Sequence, residues 1–149
     1  MEIERKFTIK QLPENLAQYP SKKLVQAYMN TNPVIRIRRE DNDYYLTYKG
    51  SGMMAREEYN LPLNAESFQH LLPKCDGNVI SKTRYLIPCK QHTIELDIFD
   101  APFAPLIIAE VEFPTVDEAE NFTPPSWFCE DVTYNKEYHN SNLAGKIGI

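Results

Sequence analysis

The opening stretch, Glu2-Ile3-Glu4-Arg5-Lys6-Phe7-Thr8-Ile9, alternates so strictly that Glu2, Glu4 and Lys6 share one face of an extended strand while Ile3, Phe7 and Ile9 share the other. Alone, such a strand reads as a half-solvated edge strand. The pattern returns with both signs of charge at Arg36 and Arg38, Lys82 and Arg84, Glu95 and Asp97, and Glu110 and Glu112. That recurrence is what constrains the fold.

With 149 residues the chain is expected to form one domain with a sizeable core. Its 42% hydrophobic and 25% charged residues suit an ordinary globular protein. The formal net charge of -5 argues against non-specific binding of nucleic acid or anionic membrane, so any basic site must be local. Cys75, Cys89 and Cys129 are odd in number and widely spaced, which suits buried thiols in a reducing compartment better than a disulfide framework or a thiolate zinc site. The N-terminus has no basic-then-apolar leader and no apolar run approaches spanning length, so a cytoplasmic chain is expected.

Along the chain, Pro13 to Gln18 reads as a short turn or helical piece, and strands are expected from about Lys23 to Met29, Val34 to Arg39, Tyr44 to Lys49 and Arg56 to Pro62. A helix begins near Asn64, a plausible N-cap, with Phe68, Leu71 and Leu72 as its apolar stripe. Further strands are expected over Val79 to Pro88, Thr93 to Phe99 and Leu106 to Phe113. A short helix over Asp117 to Phe122, capped by Thr115 or Asp117, precedes the stiff segment Thr123-Pro124-Pro125-Ser126-Trp127-Phe128, and the tail from Tyr134 to Ile147 reads as helical.

About eight strands joined by tight turns, with two or three short helices, predict a mainly β (α+β) domain: a closed eight-stranded antiparallel tunnel barrel with short covering helices. The face that alternation selects collects Lys6, Arg36, Arg38, Lys49, Arg56, Lys82 and Arg84 with Glu2, Glu4, Glu58, Glu95, Asp97, Glu110 and Glu112. Between them lie good core packers such as Ile35, Ile37, Leu46, Leu96 and Val111. A charged lumen inside an apolar outer layer accounts for both sets. Burying so many charges is costly without partners, so the lumen should be wet and filled by a charged ligand. Arginines and lysines from separate strands suit a polyphosphate, and carboxylates with no His or Cys among them suit Mg²⁺ or Mn²⁺. The competing account is a structural network in which acids and bases simply pair.

Taken together, Glu2-x-Glu4-x-Lys6, Gln26-x-Tyr28, Arg36-x-Arg38, Thr47-x-Lys49-Gly50, Arg56-Glu57-Glu58-Tyr59, Lys82-x-Arg84-Tyr85, Glu95-x-Asp97-x-Phe99, Glu110-Val111-Glu112-Phe113, Asp131-Val132-Thr133 and Tyr138-x-Asn140 form an ordered set. On these motifs the chain resembles the CYTH superfamily, or triphosphate tunnel metalloenzymes, and within it the small bacterial inorganic tripolyphosphatases. The resemblance implies metal-dependent hydrolysis of a triphosphate, with Lys6, Arg36, Arg38, Lys49, Arg56, Lys82 and Arg84 holding the phosphates. It places Glu2, Glu4, Asp97, Glu110 and Glu112 around Mg²⁺ or Mn²⁺ and leaves Glu58 and Glu95 unassigned. It puts Tyr28 near Lys6 as a pair handling the proton or the leaving group, and Lys136 and Tyr138 at a mouth plugged by the C-terminal segment, with Lys136 a further substrate-binding residue. Asn60 departs from the pattern, where a further acid is expected after Arg56 and Glu58.

His70, His92 and His139 do not cluster in sequence and receive no metal or catalytic role, while Trp127 with Phe128 reads as a hydrophobic latch and Cys129 as a packing residue. Tyr44, Tyr45 and Tyr48 read as strand packing, with Tyr45 a candidate for a tunnel mouth. The expected ligand is a triphosphate-containing small molecule, tripolyphosphate or ATP, with oligomeric state open. Besides the tripolyphosphatase, the same clamp suits an adenylate cyclase, a thiamine triphosphatase or a non-catalytic polyphosphate-binding module.

Overall fold

The computed structural model describes residues 1–146. In chain order the elements are β1 (Glu2–Ile9), a single 3₁₀ turn (Leu16–Gln18), β2 (Ser21–Thr31), β3 (Val34–Glu40), β4 (Asp43–Lys49), β5 (Ala55–Arg56), β6 (Glu58–Leu63), α1 (Ala65–Leu71), β7 (Asp76–Cys89), β8 (His92–Phe99), β9 (Ile107–Glu112), α2 (Val116–Asn121), β10 (Phe128–Asp131), a 3₁₀ turn (Lys136–Tyr138) and α3 (Asn140–Lys146). All pairings are antiparallel, and the sheet runs β10-β1-β9-β8-β7-β2-β3-β4-β6.

The two ends of this sheet meet through β5, where Glu2 faces Arg56 and Ile3 faces Ala55. β5 runs on into β6 across the single residue Glu57, so one continuous stretch links β4 to β1. The expected tunnel is therefore a strongly curled sheet latched along a two-residue seam, rather than a barrel closed along its length. The expected strand from Arg56 to Pro62 is divided at Glu57, where the chain passes from pairing with β1 to pairing with β4; the Glu57 carbonyl still accepts from the Gly50 N–H at 3.0 Å, next to the Lys49–Glu58 pair.

Outside the curl lie two apolar patches, each under a helix. Ile3, Phe7, Ile94, Leu96, Val111 and Phe113 pack with Ala119 of α2 and with Phe128. Ala27 and Ile37 pack with Phe68 of α1. The caps are local: Asn64 Oδ1 accepts the Ser67 N–H at 2.7 Å, and Thr115 Oγ1 accepts the Glu118 N–H at 3.1 Å.

A third cluster lies inside. Tyr28, Val34, Ile80, Phe99 and Ile108 fall on the same strand faces as the charged residues and pack against Leu143 and Ala144 of α3. The selected face is thus charged over only part of its length; α3 fills one end. The helix comes so close to β7 that a Cβ on Gly77, at φ +72°, would lie 2.4 Å from the Ala144 carbonyl oxygen. The expected helix over Tyr134 to Ile147 is a 3₁₀ turn followed by α3, with Ile147 outside the described residues.

β10 was not foreseen, because the prolines before it mask a strand pattern of four residues. It extends the sheet beyond β1, and Trp127 meets the Phe128 ring edge-on at 4.7 Å. The thiols form no disulfide; Cys75 and Cys89 are half-buried, and Cys129, expected to pack, is exposed because it stands on this outermost strand. No helix among the described residues is long and apolar enough to cross a membrane.

Phe7 is 1% exposed, and its ring lies 4.8 Å from that of Phe128. Phe7→Ala should cost about 3–5 kcal/mol in chemical denaturation, against a small change for Tyr59→Ala on the exposed face; similar losses for both would contradict a core outside the charged lumen.

Candidate active site

Register brings the charged residues together. Across β1 and β9, Glu4 faces Glu112 and Lys6 faces Glu110; across β8, Glu95 faces Glu110 and Asp97 faces Arg84; across β2 and β3, Gln26 faces Arg38 and Tyr28 faces Arg36. Their inward faces enclose a cavity of about 380 Å³, in whose lining Val34 is the sole aliphatic residue.

One part of this site is saturated with ion pairs. Lys6 Nζ lies 2.8 Å from Glu110 and 3.5 Å from Glu4. Arg84 forks onto Asp97 at 2.7 and 2.9 Å and reaches Glu95 at 3.2 Å and Glu110 at 3.3 Å. Burial alone would lower Lys6, but Glu110, Glu4 and Glu2 outweigh it and raise the ammonium well above its ordinary value. Burial likewise opposes the charged form of Glu110, yet Lys6, Arg84 and Lys82 hold its carboxyl well below the usual range. Lys49 binds both oxygens of Glu2 at 3.0 Å and reaches Glu58 at 3.4 Å.

A second part is basic and short of acids. Arg36 is 4% exposed; among the described residues its only hydrogen bond is a long 3.4 Å contact to Thr47 Oγ1, and its Nε has no partner. Arg38 donates from Nε to Gln26 at 2.8 Å and from Nη1 to Glu40 at 3.2 Å. Burial first, then Arg36 and Arg84, lower the Arg38 guanidinium to about 10.

A third part gathers carboxylates, of which Glu2 is held by Lys49 and by Arg56 at 3.6 Å and Glu58 by Lys49. One oxygen from each of Glu2, Glu58 and Glu112 lies within 4.8 Å of the others. Among the described residues Glu112 has no basic partner, and burial together with Glu2, Glu95, Glu4 and Glu58 pushes its carboxyl up to about 7. Glu95, half-buried beside Glu110, Asp97 and Glu4, is also raised by its burial and by those carboxylates, with Arg84 opposing. An all-carboxylate donor set fits a hard divalent cation.

Of the residues expected at the site, Glu2, Glu4, Lys6, Tyr28, Arg36, Arg38, Lys49, Arg56, Arg84, Glu110 and Glu112 line this cavity, as do Glu58, Glu95 and Tyr45. Lys82 and Asp97 do not. Both are fully buried and 2.6 Å apart behind the lining, with Lys82 Nζ 5.0 Å from the Phe99 ring centroid and 3.3 Å from Asn140 Oδ1. Burial lowers Lys82 to about 8, with Asp97 opposing and Arg84 reinforcing the shift. Lys136 is exposed and outside the lining; its carbonyl accepts from Asn142. Asn60, the departure from the pattern, lines the cavity and accepts from Thr47 Oγ1 at 2.6 Å.

The lining also contains Glu40, Thr47, His139, Asn140 and Ser141, to which sequence reasoning gave no role. His139 is 8% exposed, and its Nε2 lies 3.0 Å from the Thr133 carbonyl. The one available signal was its place inside the Tyr138-x-Asn140 motif.

Residues 1–141 match the family model of the CYTH domain. An inorganic triphosphatase of Nitrosomonas europaea is 37% identical over 98% of both chains, and one of Acetivibrio thermocellus is 34% identical over 96% of this chain and 92% of its own. The solved structure of the inorganic triphosphatase NE1496 superposes with a TM-score of 0.72 at 34% identity, covering 97% of this chain and 94% of that one. The PH1012 protein of Pyrococcus horikoshii, at 17% identity and a TM-score of 0.62 over 80% of this chain and 84% of its own, shares the fold. With a charged cavity inside a curled antiparallel sheet and a family model spanning nearly all of its length, this chain belongs to the CYTH domain family.

Proposed function

We propose that the chain is a metal-dependent triphosphatase that hydrolyses inorganic tripolyphosphate to diphosphate and phosphate. The observation that carries this reading is the separation of unmatched charge inside one cavity: among the described residues Arg36 is buried with its Nε unbonded and no carboxylate ion-paired to it, and Glu112 is crowded by carboxylates without a base. A purely structural network would pair them. A polyphosphate meets the first need and a divalent cation the second. The curated relatives named inorganic triphosphatase support the same reaction. The nearly uniform polarity of the lining favours an inorganic chain over a nucleotide, whose base would want an apolar slot.

Family membership brings metal dependence, and the oxygen-only set of Glu2, Glu58 and Glu112 suits Mg²⁺ or Mn²⁺. When bound, the cation shields phosphate oxygens and the charge that develops during transfer. Glu4 and Glu110 stand beside this set with Lys6 between them. Arg36 as a fork and Arg38 through its Nη2 edge hold the phosphate oxygens, while Lys49, Arg56 and Arg84, each already beside a carboxylate, add positive charge around them. Water attacks a terminal phosphorus in line and gives its proton up to solvent in the open cavity, the bridging P–O bond breaks, and its electron pair leaves with diphosphate. Lys6 and Tyr28, both in the cavity lining, donate hydrogen bonds to developing negative charge. Lys82 and Asp97 support Arg84 and the chain's C-terminal segment from behind. The three unpaired thiols suit a reducing compartment, the cytoplasm.

Phosphate release from tripolyphosphate, measured beside cyclic AMP formation from ATP with Mg²⁺ and with Mn²⁺, tests the reaction; cyclic AMP as the main product would replace this reading with the cyclase. Arg36→Ala should lower kcat/KM by about 10²–10³ with unchanged circular dichroism, and wild-type turnover would remove Arg36 from the clamp. Because Glu112 holds its proton up to about pH 7, a cation must displace that proton below this pH. Mn²⁺ affinity, followed by titration calorimetry, should therefore weaken as pH falls from about 8 to 6, and Glu112→Gln should flatten the profile; a slope unchanged in the variant would exclude Glu112 as its source.

A further inference from the structure

Gln26 is a neutral amide wholly buried in the wall of a charged cavity, and the proposed chemistry does not yet use it. Its Oε1 accepts from Arg38 Nε at 2.8 Å, and its Nε2 lies 3.4 Å from Tyr28 Oη. An arginine Nε is only ever a donor, so Oε1 must face Arg38 and the amide NH₂ must face Tyr28. The Tyr28 oxygen is then an acceptor on that side, and its own proton must point elsewhere. The 3.4 Å contact is long, so it sets polarity more than it adds strength.

Both neighbours of Gln26 line the cavity, and both come from registered strand positions: Gln26 faces Arg38 across β2 and β3, and Tyr28 follows two residues later on the same face. With Nε taken by Gln26 and Nη1 reaching Glu40, the edge of the Arg38 guanidinium left free among the described residues is Nη2. We propose that Gln26 is a positioning residue, which turns the free edge of Arg38 and the hydroxyl proton of Tyr28 together into the cavity. The first orients an anion clamp; the second supplies a donor for the oxygen that gains charge as the P–O bond breaks. This rests on the triphosphatase reading.

Gln26→Met keeps the volume and removes both hydrogen bonds. It should raise KM for tripolyphosphate and lower kcat, each by roughly tenfold. In a Tyr28→Phe background the same substitution should still raise KM but lower kcat no further, since the hydroxyl it would misdirect is gone. General loosening of the wall would instead lower kcat by the same factor in both backgrounds, and that result, or wild-type kinetics in Gln26→Met, would overturn the proposal. If Gln26→Met does not fold, Gln26→Glu keeps the acceptor for Arg38 and reverses the polarity toward Tyr28. It should lower kcat in the wild-type background and not in Tyr28→Phe, with equal losses in both overturning the proposal. If the wild-type chain releases no phosphate, the triphosphatase reading fails by itself. Calorimetric binding of inorganic tripolyphosphate then decides the Arg38 half: about tenfold weaker binding to the Gln26 variant supports it, and unchanged binding overturns it.

Discussion

A charge taken out of water must find an opposite charge or a set of donors, and the whole interior of this protein is arranged around that requirement. From Lys6 through Glu110 and Arg84 to Asp97 and Lys82 the demand is met by the chain itself, in contacts of 2.6 to 3.3 Å. Removing one member of such a chain strands its partner, which typically costs about 3–5 kcal/mol. This run is therefore a scaffold as much as a binding surface. Arg36 and Glu112, on either side of it, are where internal pairing runs out.

The antiparallel register explains why pairing runs out where it does. Direct cross-strand neighbours include Lys6 with Glu110 and Arg84 with Asp97, which attract, but also Glu4 with Glu112 and Glu95 with Glu110, which repel. Glu110 sits between Lys6 on one side and Glu95 on the other, so its cation is shared. Glu112 lies one strand step farther toward the mouth and has carboxylates around it and, among the described residues, no cation paired with it. On the opposite wall, Tyr28 and Gln26 stand across from Arg36 and Arg38, neutral residues where acids would have closed the pairs. One wall is left needing an anion and the other a cation, which a metal-bound polyphosphate can satisfy together.

Much of this was legible because a period of two is a property of sequence: once a strand is granted, Glu2, Glu4 and Lys6 share a face whatever else happens. Alternation reports the face, however, and says nothing about depth. Lys82 obeys the same pattern as Arg84 yet sits opposite Phe99, at the level where α3 fills the interior, so it points at Asp97 and Asn140 instead of the cavity. Depth depended on Leu143 and Ala144, two apolar residues too few to announce an inserted helix. The same insertion carries His139, Asn140 and Ser141 to the lining, which is why a histidine judged isolated in sequence is not isolated in space. Lys136, three residues before His139, lies on the outer side of that turn.

The apolar end is more than a stopper. Tyr28, Val34, Ile80, Phe99 and Ile108 with Leu143 and Ala144 keep water from one side of the charged region, so its field is less screened there than at the open mouth. The partition matches the two kinds of charge. Near the seal, Lys82 and Asp97 would be intolerable unpaired and are paired at 2.6 Å. At the mouth, Glu112 stays partly in water, so its unmatched charge costs less while it waits for a cation. Had the positions been reversed, with the unmatched carboxylate against the seal, it would have held its proton rather than a metal. Where the helix enters the curled sheet thus determines which charges can remain available to a ligand.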